Sequence, residues 1–175
     1  MILGPGGAGK TELATAISGR TGLPVVHLDV LFWRPGWTPA PRDEALRDLA
    51  AAVAGERWIL DGNFLDLDGD DARFERADTV IFLDLPRRTC LWRVFKRLVR
   101  DRRSSRSDLP EGCTEGFDLA LLRWIWRYPR TDRPRVLELL ERLEQRVDVP
   151  HLRSRSDVRR YVGSLSIEGA EPRSR

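Results

Sequence analysis

The sequence predicts an α/β domain, a doubly wound, three-layer sandwich built on a five-stranded parallel sheet. Short apolar runs at 1–3, 23–29, 57–63, 78–86 and 147–152 alternate with stretches of helical periodicity. That alternation calls for crossover connections and a parallel sheet covered on both faces. The first run passes directly into the glycine-rich stretch GPGGAGKT, and three later runs carry an aspartate at or near their carboxyl end: Asp29, Asp61 and Asp84. Chemistry therefore gathers on the carboxyl edge of the sheet, where ligands bind in this architecture.

Each element follows from its pattern. Met1–Leu3 forms the first strand; it is short beside the usual ~5–6 residues, and a longer strand is expected to have begun before it. Lys10–Arg20 is helical, with Leu13, Ala14 and Ile17 on one face and Gly22 as the stop. Residues 23–29 read as a buried strand, and the Pro-, Gly- and Trp-rich residues 30–41 as loop. The helix over 42–54 buries Ala45, Leu46, Leu49 and Val53, and 57–63 is the next strand. An Asp/Gly-rich connection at 66–71 leads to the strand at 78–86. Pro86 then opens a helix over 87–102 that buries Leu91, Val94, Phe95 and Leu98, with Arg93, Lys96, Arg97 and Arg100 on the opposite face. Residues 102–116 lack periodicity and read as a mobile loop. Helices follow over 117–129 and 133–146, then a strand over 147–152 and a helix over 155–164. The tail 165–175 has little to bury and is expected to be disordered.

The 175 residues, 41% hydrophobic and 33% charged, suit one domain spanning 1–164. No apolar run approaches the ~18 residues of a membrane span, and nothing resembles a signal peptide. Cys90 and Cys113 are too few and too separated for a disulfide framework, so a cytoplasmic location is expected. Residues 1–86 carry 8 Lys+Arg against 14 Asp+Glu, a net of −6, whereas residues 87–175 carry 22 against 13, a net of +9. The second half is therefore suited to an anion.

Residues Gly4 to Thr11 fit G-x-x-x-x-G-K-S/T at every fixed position. Glycines let successive backbone amides, here those of Gly4, Gly6, Gly7, Ala8 and Gly9, curl around one anion, and the following helix adds its dipole. Lys10 would reach the β- and γ-phosphates, and the Thr11 hydroxyl would ligate Mg²⁺. Asp29, Asp61 and Asp84 share that edge, so one or two of them should hold metal-bound water or contact an acceptor; each could equally be a helix cap. Arg93 and Arg97, four apart, project together and could stabilise a transferring phosphoryl group. The segment 102–130, with Arg123, Arg127 and Arg130, suits a lid that excludes water. Trp33 and Trp37 lie just past Asp29, where they could line an acceptor pocket. His27 and His151 have no metal-ligand spacing, Cys90 reads as core, no nucleophile triad is apparent, and Trp124, Trp126 and Tyr128 read as packing residues.

The segments GPGGAGKT, HLDVLFWRPGW, RWILDGNF, ADTVIFLDLPRRTCLWRVFKRLVR, DLPEGC and RWIWRYPRTDRPRVLELL together resemble the DNA topology modulation protein family, bacterial adenylate-kinase-like P-loop proteins. The likeness spans about residues 1–162. More broadly the layout is similar to nucleoside monophosphate kinases, in the nucleoside/small-molecule kinase branch of the P-loop NTPases. That resemblance implies ATP (or another NTP) and Mg²⁺, an acceptor-binding insertion at 30–56 and a lid at 102–130. It matches Asp61-Gly62 to the strand-end acid, Arg93 and Arg97 to the phosphate-contacting arginines, and the stretch from Leu152 to Arg155, with Arg153, to the base-cradling loop. One departure matters: the kinase pattern Asp-Gly-Phe-Pro-Arg is here Asp-Gly-Asn-Phe-Leu, which removes an acceptor-side arginine. Asp29 instead resembles the acid of kinases acting on small hydroxylated metabolites, where it orients the acceptor hydroxyl or serves as base. The expected activity is γ-phosphoryl transfer to a small-molecule or nucleotide acceptor. The alternatives are a nucleotide-dependent regulator of DNA topology acting through the basic half, or an NTPase switch; nucleic acid is the less favoured partner, and no membrane is expected.

Overall fold

A computed structural model describes residues 1–64, 72–100 and 119–165 of the chain. Strand β1 (Ile2–Leu3) leads through the glycine run into α1 (Lys10–Thr21) and β2 (Val25–His27). A short helix α2 (Leu28–Phe32) and an antiparallel hairpin, β3 (Trp33–Arg34) with β4 (Thr38–Pro39), precede α3 (Arg42–Ala54). Then come β5 (Ile59–Asp61), α4 (Ala72–Glu75), β6 (Ile81–Leu83), α5 (Arg87–Arg100), α6 (Leu119–Arg127), α7 (Asp132–Leu143), β7 (His151–Leu152) and α8 (Arg155–Ser164).

Five strands pair in parallel in the order β2-β5-β1-β6-β7. The chain leaves β1 toward one edge, returns through β5, crosses to β6 and ends at β7. β1 is thus the centre, and the crevice at its carboxyl end is flanked by β5 and β6, where the winding reverses. Side chains alternate across the sheet with the period of two that a strand imposes. Leu3, Leu60, Val80 and Phe82 face one core with α2, α3, α4 and α7, where Leu28, Leu49, Val53, Phe74, Val136 and Leu140 meet them. Ile2, Ile59, Ile81 and Leu83 face the other, with Leu13, Ala14 and Ile17 of α1, Cys90 and Val94 of α5 and Leu152. α6 bridges the layers: Ile125 joins the second core and Tyr128, just past the helix, the first. Burying each such Leu, Ile or Phe contributes roughly 1.5–3 kcal/mol, which fixes the three-layer arrangement despite the short strands.

Several boundaries differ from the sequence reading. The regular strands are shorter than the apolar runs, and β2 stops at His27, so Asp29 lies in the first turn of α2 instead of closing the strand. Residues 30–41 hold the end of α2 and the β3–β4 hairpin where a loop was expected. Phe95 is 52% exposed, together with Trp92 and Val99. The core stripe of α5 runs through Cys90 and Val94, and at ~100° per residue Phe95 is carried off it. On the loop side, by contrast, Arg93 is partly covered. Cys90 is buried, and burial pushes its thiol up to about 11, in keeping with a core residue. The connection 66–71, most of the expected lid at 102–130, Cys113, and the tail beyond Leu165 lie outside the described residues.

Candidate functional site

The site is built around the β1–α1 turn. Gly7 and Gly9 adopt φ of 76° and 96°, conformations that cost a residue with a Cβ. A Cβ at Gly7 would sit 2.5 Å from the Cys90 carbonyl oxygen, and one at Gly9 would sit 2.8 Å from an Arg93 nitrogen. The turn is thus wedged against α5 and closes only with glycine at these points. α1 begins at Lys10 straight after it, so the first amides of the helix adjoin the turn. Among the described residues no protein acceptor takes the amides of Gly7, Gly9, Lys10 or Thr11. The Lys10 ammonium curls back toward the Pro5 carbonyl at 3.4 Å.

On the β5 side, the Thr11 hydroxyl donates to Asp61 Oδ2 at 2.7 Å, and His27 Nδ1 approaches the same oxygen at 3.0 Å. The pairing follows from register: His27 and Asp61 are direct partners in the β2–β5 ladder. Burial acts to push the Asp61 carboxyl up. The His27 hydrogen bond, the Lys10 charge and the Thr11 hydroxyl together outweigh burial, and its pKa falls below the ordinary 3.8. Asp61 is therefore a buried, ionised oxygen donor beside the turn. Two residues on, Asn63 pairs with Gly4 in both directions, its Oδ1 accepting from Gly4 N and its Nδ2 donating to Gly4 O, each at 2.8 Å. The buried Arg73 donates to the carbonyls of Asn63 and Phe64 at 3.2 and 2.6 Å.

Phe64 stacks on Phe32 at 4.5 Å, joining this strand end to α2. Asp29 is exposed in the first turn of α2, and its carbonyl accepts from the Trp33 amide. Trp33 and Trp37 meet edge to face at 5.9 Å, with Trp37 at φ 58° and 40% exposed. Arg34, between them, is held by Glu44 of α3 at 2.7 Å.

The β6–β7 side is arginine-bound. Arg93 donates to the carbonyls of Gly7 and Ala8 at 3.3 and 2.7 Å and pairs with Glu12, so α5 grips the turn directly. Arg97 is one helical turn further along and half-buried. Asp84, just past β6, takes two hydrogen bonds from Arg133 at 2.8 Å each and one contact from His151 Nε2 at 2.8 Å. Burial would raise the Asp84 carboxyl, but the bonds from Arg133 and His151 hold it below 3.8. Arg153 lies against the His151 ring, with Nη2 3.3 Å from Nδ1.

Of the residues singled out in the sequence, Gly4 to Thr11, Asp61 and Arg93 converge at the turn. Asp29, Trp33 and Trp37 gather on α2 and the hairpin, and Arg153 stands across the sheet beside His151. His27, Asn63, Glu12, Arg73 and Arg133 were not singled out. His27 carried no local signal, since only the β2–β5 register sets it opposite Asp61. A cavity of about 420 Å³, lined by Met1, Thr21, Trp58, Thr79 and Tyr161 among others, opens at the amino edge, away from all of these groups.

Among the described residues no helix is long and apolar enough to cross a membrane. No family model matches the sequence, and neither does any curated protein.

Proposed function

We propose that the protein is an Mg²⁺-dependent phosphotransferase of the adenylate-kinase-like P-loop type, one that moves the γ-phosphate of ATP, or of another NTP, to an acceptor. The observation that carries this reading is the turn between β1 and α1. There the amides of Gly7, Gly9, Lys10 and Thr11, which no protein acceptor takes among the described residues, adjoin the Lys10 ammonium and the Thr11–Asp61 pair at the carboxyl end of the central strand. Amides at a helix start and a lysine suit the β- and γ-phosphates.

The oxygen donors fit a hard cation. Thr11 gives its proton to an ionised carboxylate, which leaves its oxygen lone pairs available. Mg²⁺ commonly relies on one or two protein ligands plus substrate phosphates. Thr11 would hold the ion, which neutralises charge on the phosphates when bound. Asp61 keeps Thr11 oriented, Arg93 braces the turn through the Gly7 and Ala8 carbonyls, and Arg97 stabilises the charge that develops on the transferred group. In the transfer the acceptor hydroxyl oxygen bonds to the γ-phosphorus while the bond to the bridging oxygen breaks. The nucleoside diphosphate leaves with that electron pair, and the hydroxyl proton passes to the Asp29 carboxylate.

Turnover with γ-labelled ATP and a panel of nucleotides and sugars tests the reading. Label on an acceptor, lost in Lys10→Ala and in Arg97→Ala, is expected; label only in free phosphate points to an NTPase, and unchanged activity in Lys10→Ala contradicts every enzymatic reading. A second reading, nucleotide-dependent action on DNA topology, is favoured by exposed cation–aromatic pairs, Arg87 over Trp126 at 4.0 Å and Lys96 over Trp92 at 5.8 Å. Salt-dependent DNA binding that ignores ATP would support it.

A further inference from the structure

We infer that the acceptor is a hydroxylated compound without a phosphate group, held on the indoles of Trp33 and Trp37 with its hydroxyl toward Asp29. The inference rests on the phosphotransferase reading and narrows its substrate class. A monophosphate needs guanidinium or ammonium groups to balance its charge as it is desolvated. Around α2, the hairpin, α3 and the end of β5, the arginines are already committed. Arg34 is paired with Glu44, Arg47 donates to the Asp43 carbonyl, and Arg76 donates to the carbonyls of Val53 and Ala54 at the end of α3. Arg73 is 1% exposed and spans the Asn63 and Phe64 carbonyls. Moving Arg76 or Arg73 from these places would leave the end carbonyls of α3, or the carbonyls of Asn63 and Phe64, without their donors. Arg57 lines the cavity at the opposite edge of the sheet, and residues 65–71 contain no Lys or Arg. Arg42, at the start of α3 beside Asp43 and Glu44, is engaged as well.

What this region does present is aromatic and acidic. Two indoles at 74° to each other offer adjoining walls, and Arg34, on the strand between them, is anchored to α3 through Glu44. Indole faces take the C–H face of a sugar or the plane of a nucleoside base, and a carboxylate orients a hydroxyl. Sugars and nucleosides share that chemistry, so the experiment separates them.

The test is direct binding, which needs no turnover. Wild-type protein saturated with Mg²⁺ and a non-hydrolysable ATP analogue is titrated with adenosine, adenosine 5′-monophosphate, ribose and ribose 5-phosphate, and binding is followed by tryptophan fluorescence and calorimetry. The expected result is that at least one phosphate-free compound binds tenfold or more tightly than its phosphorylated partner, and that Trp37→Ala removes this preference while the circular dichroism spectrum is kept. Which member of the panel binds tells a nucleoside from a sugar. Equal or tighter binding of the monophosphate in every pair that binds, or binding of none of the four, overturns the inference. If the preference is found but γ-label never reaches the bound compound, the transfer reading fails while the acceptor class stands.

Discussion

The two sides of β1 carry the same device with different surroundings. On each side an aspartate at or just past a strand end meets a histidine from the neighbouring strand, Asp61 with His27 and Asp84 with His151. On the β5 side the pair is tied to the turn through Thr11, and no arginine donates to Asp61 among the described residues. On the β6 side the pair is tied through two hydrogen bonds to Arg133, the second residue of α7. The first arrangement therefore braces the β1–α1 turn, and the second fastens a helix to the sheet. The contrast also extends to the histidine nitrogen used, Nδ1 in His27 and Nε2 in His151. A strand-end carboxylate is thus not functional by position alone; what its second partner belongs to decides its role.

That contrast can be broken from either side. The largest expected effect is in Lys10→Ala: phosphoryl transfer should fall by about 10²–10³, the usual loss of one charged transition-state contact, with thermal unfolding unchanged. If Lys10→Ala unfolds the protein instead, the turn is structural. Asp84→Ala should do the reverse. It leaves Arg133 and His151 without their shared acceptor and should cost on the order of 2 kcal/mol in urea unfolding, with a smaller effect on ATP affinity than Lys10→Ala has. Its pH dependence follows from linkage. The Asp84 carboxyl titrates below 3.8 in the folded protein, so the unfolded chain binds the proton first as pH falls. The stability the carboxylate contributes is complete above pH ~4–5 and is lost as pH drops through the folded value. Urea titrations at pH 7 and pH 3 should show wild type losing this contribution and Asp84→Ala lacking it throughout.

Asn63→Ala comes next. It removes both hydrogen bonds to Gly4 and should weaken nucleotide binding by up to about tenfold through loosening of the turn; unchanged affinity would show that Asn63 merely fills space. Nitrogen-resolved spectra of the two histidines sharpen the comparison without perturbing it: the nitrogen facing the carboxylate, Nδ1 in His27 and Nε2 in His151, is expected to carry a proton. The smallest effect is expected for Tyr128→Phe. The Tyr128 hydroxyl is buried without a hydrogen-bond partner among the described residues, and burial, followed by Asp132 and Asp84, pushes its pKa up. Removing it should leave stability unchanged or raise it by up to about 1 kcal/mol, measured as a small rise in Tm.

The sequence makes local features plain and distant ones obscure. The turn was legible because its glycines, lysine and threonine are consecutive, and the layers were legible because buried strands and amphipathic helices differ in period. His27 meets Asp61 across 34 residues and Asn63 meets Gly4 across 59. Only strand order and register bring such pairs together, and neither is written in a local pattern. Arg133 was hidden among many arginines; its distinction is the bidentate geometry with Asp84, which needs α7 in place. The hairpin over 33–39 was missed because Pro35, Gly36 and Pro39 break both periods. Phe95 was assigned to the core by hydrophobicity, although Val94 already holds the core-facing position on α5.

The proposed function puts nucleotide phosphates on the β1–α1 turn and the acceptor on Trp33 and Trp37. Titrating isotopically labelled protein with Mg²⁺ and a non-hydrolysable ATP analogue, while recording backbone-amide and indole N–H signals, tests it most directly. The account predicts large shifts at Gly7, Gly9, Lys10 and Thr11, with the Trp33 and Trp37 indoles left in place. Shifts at the two indoles with the turn amides unmoved would contradict it.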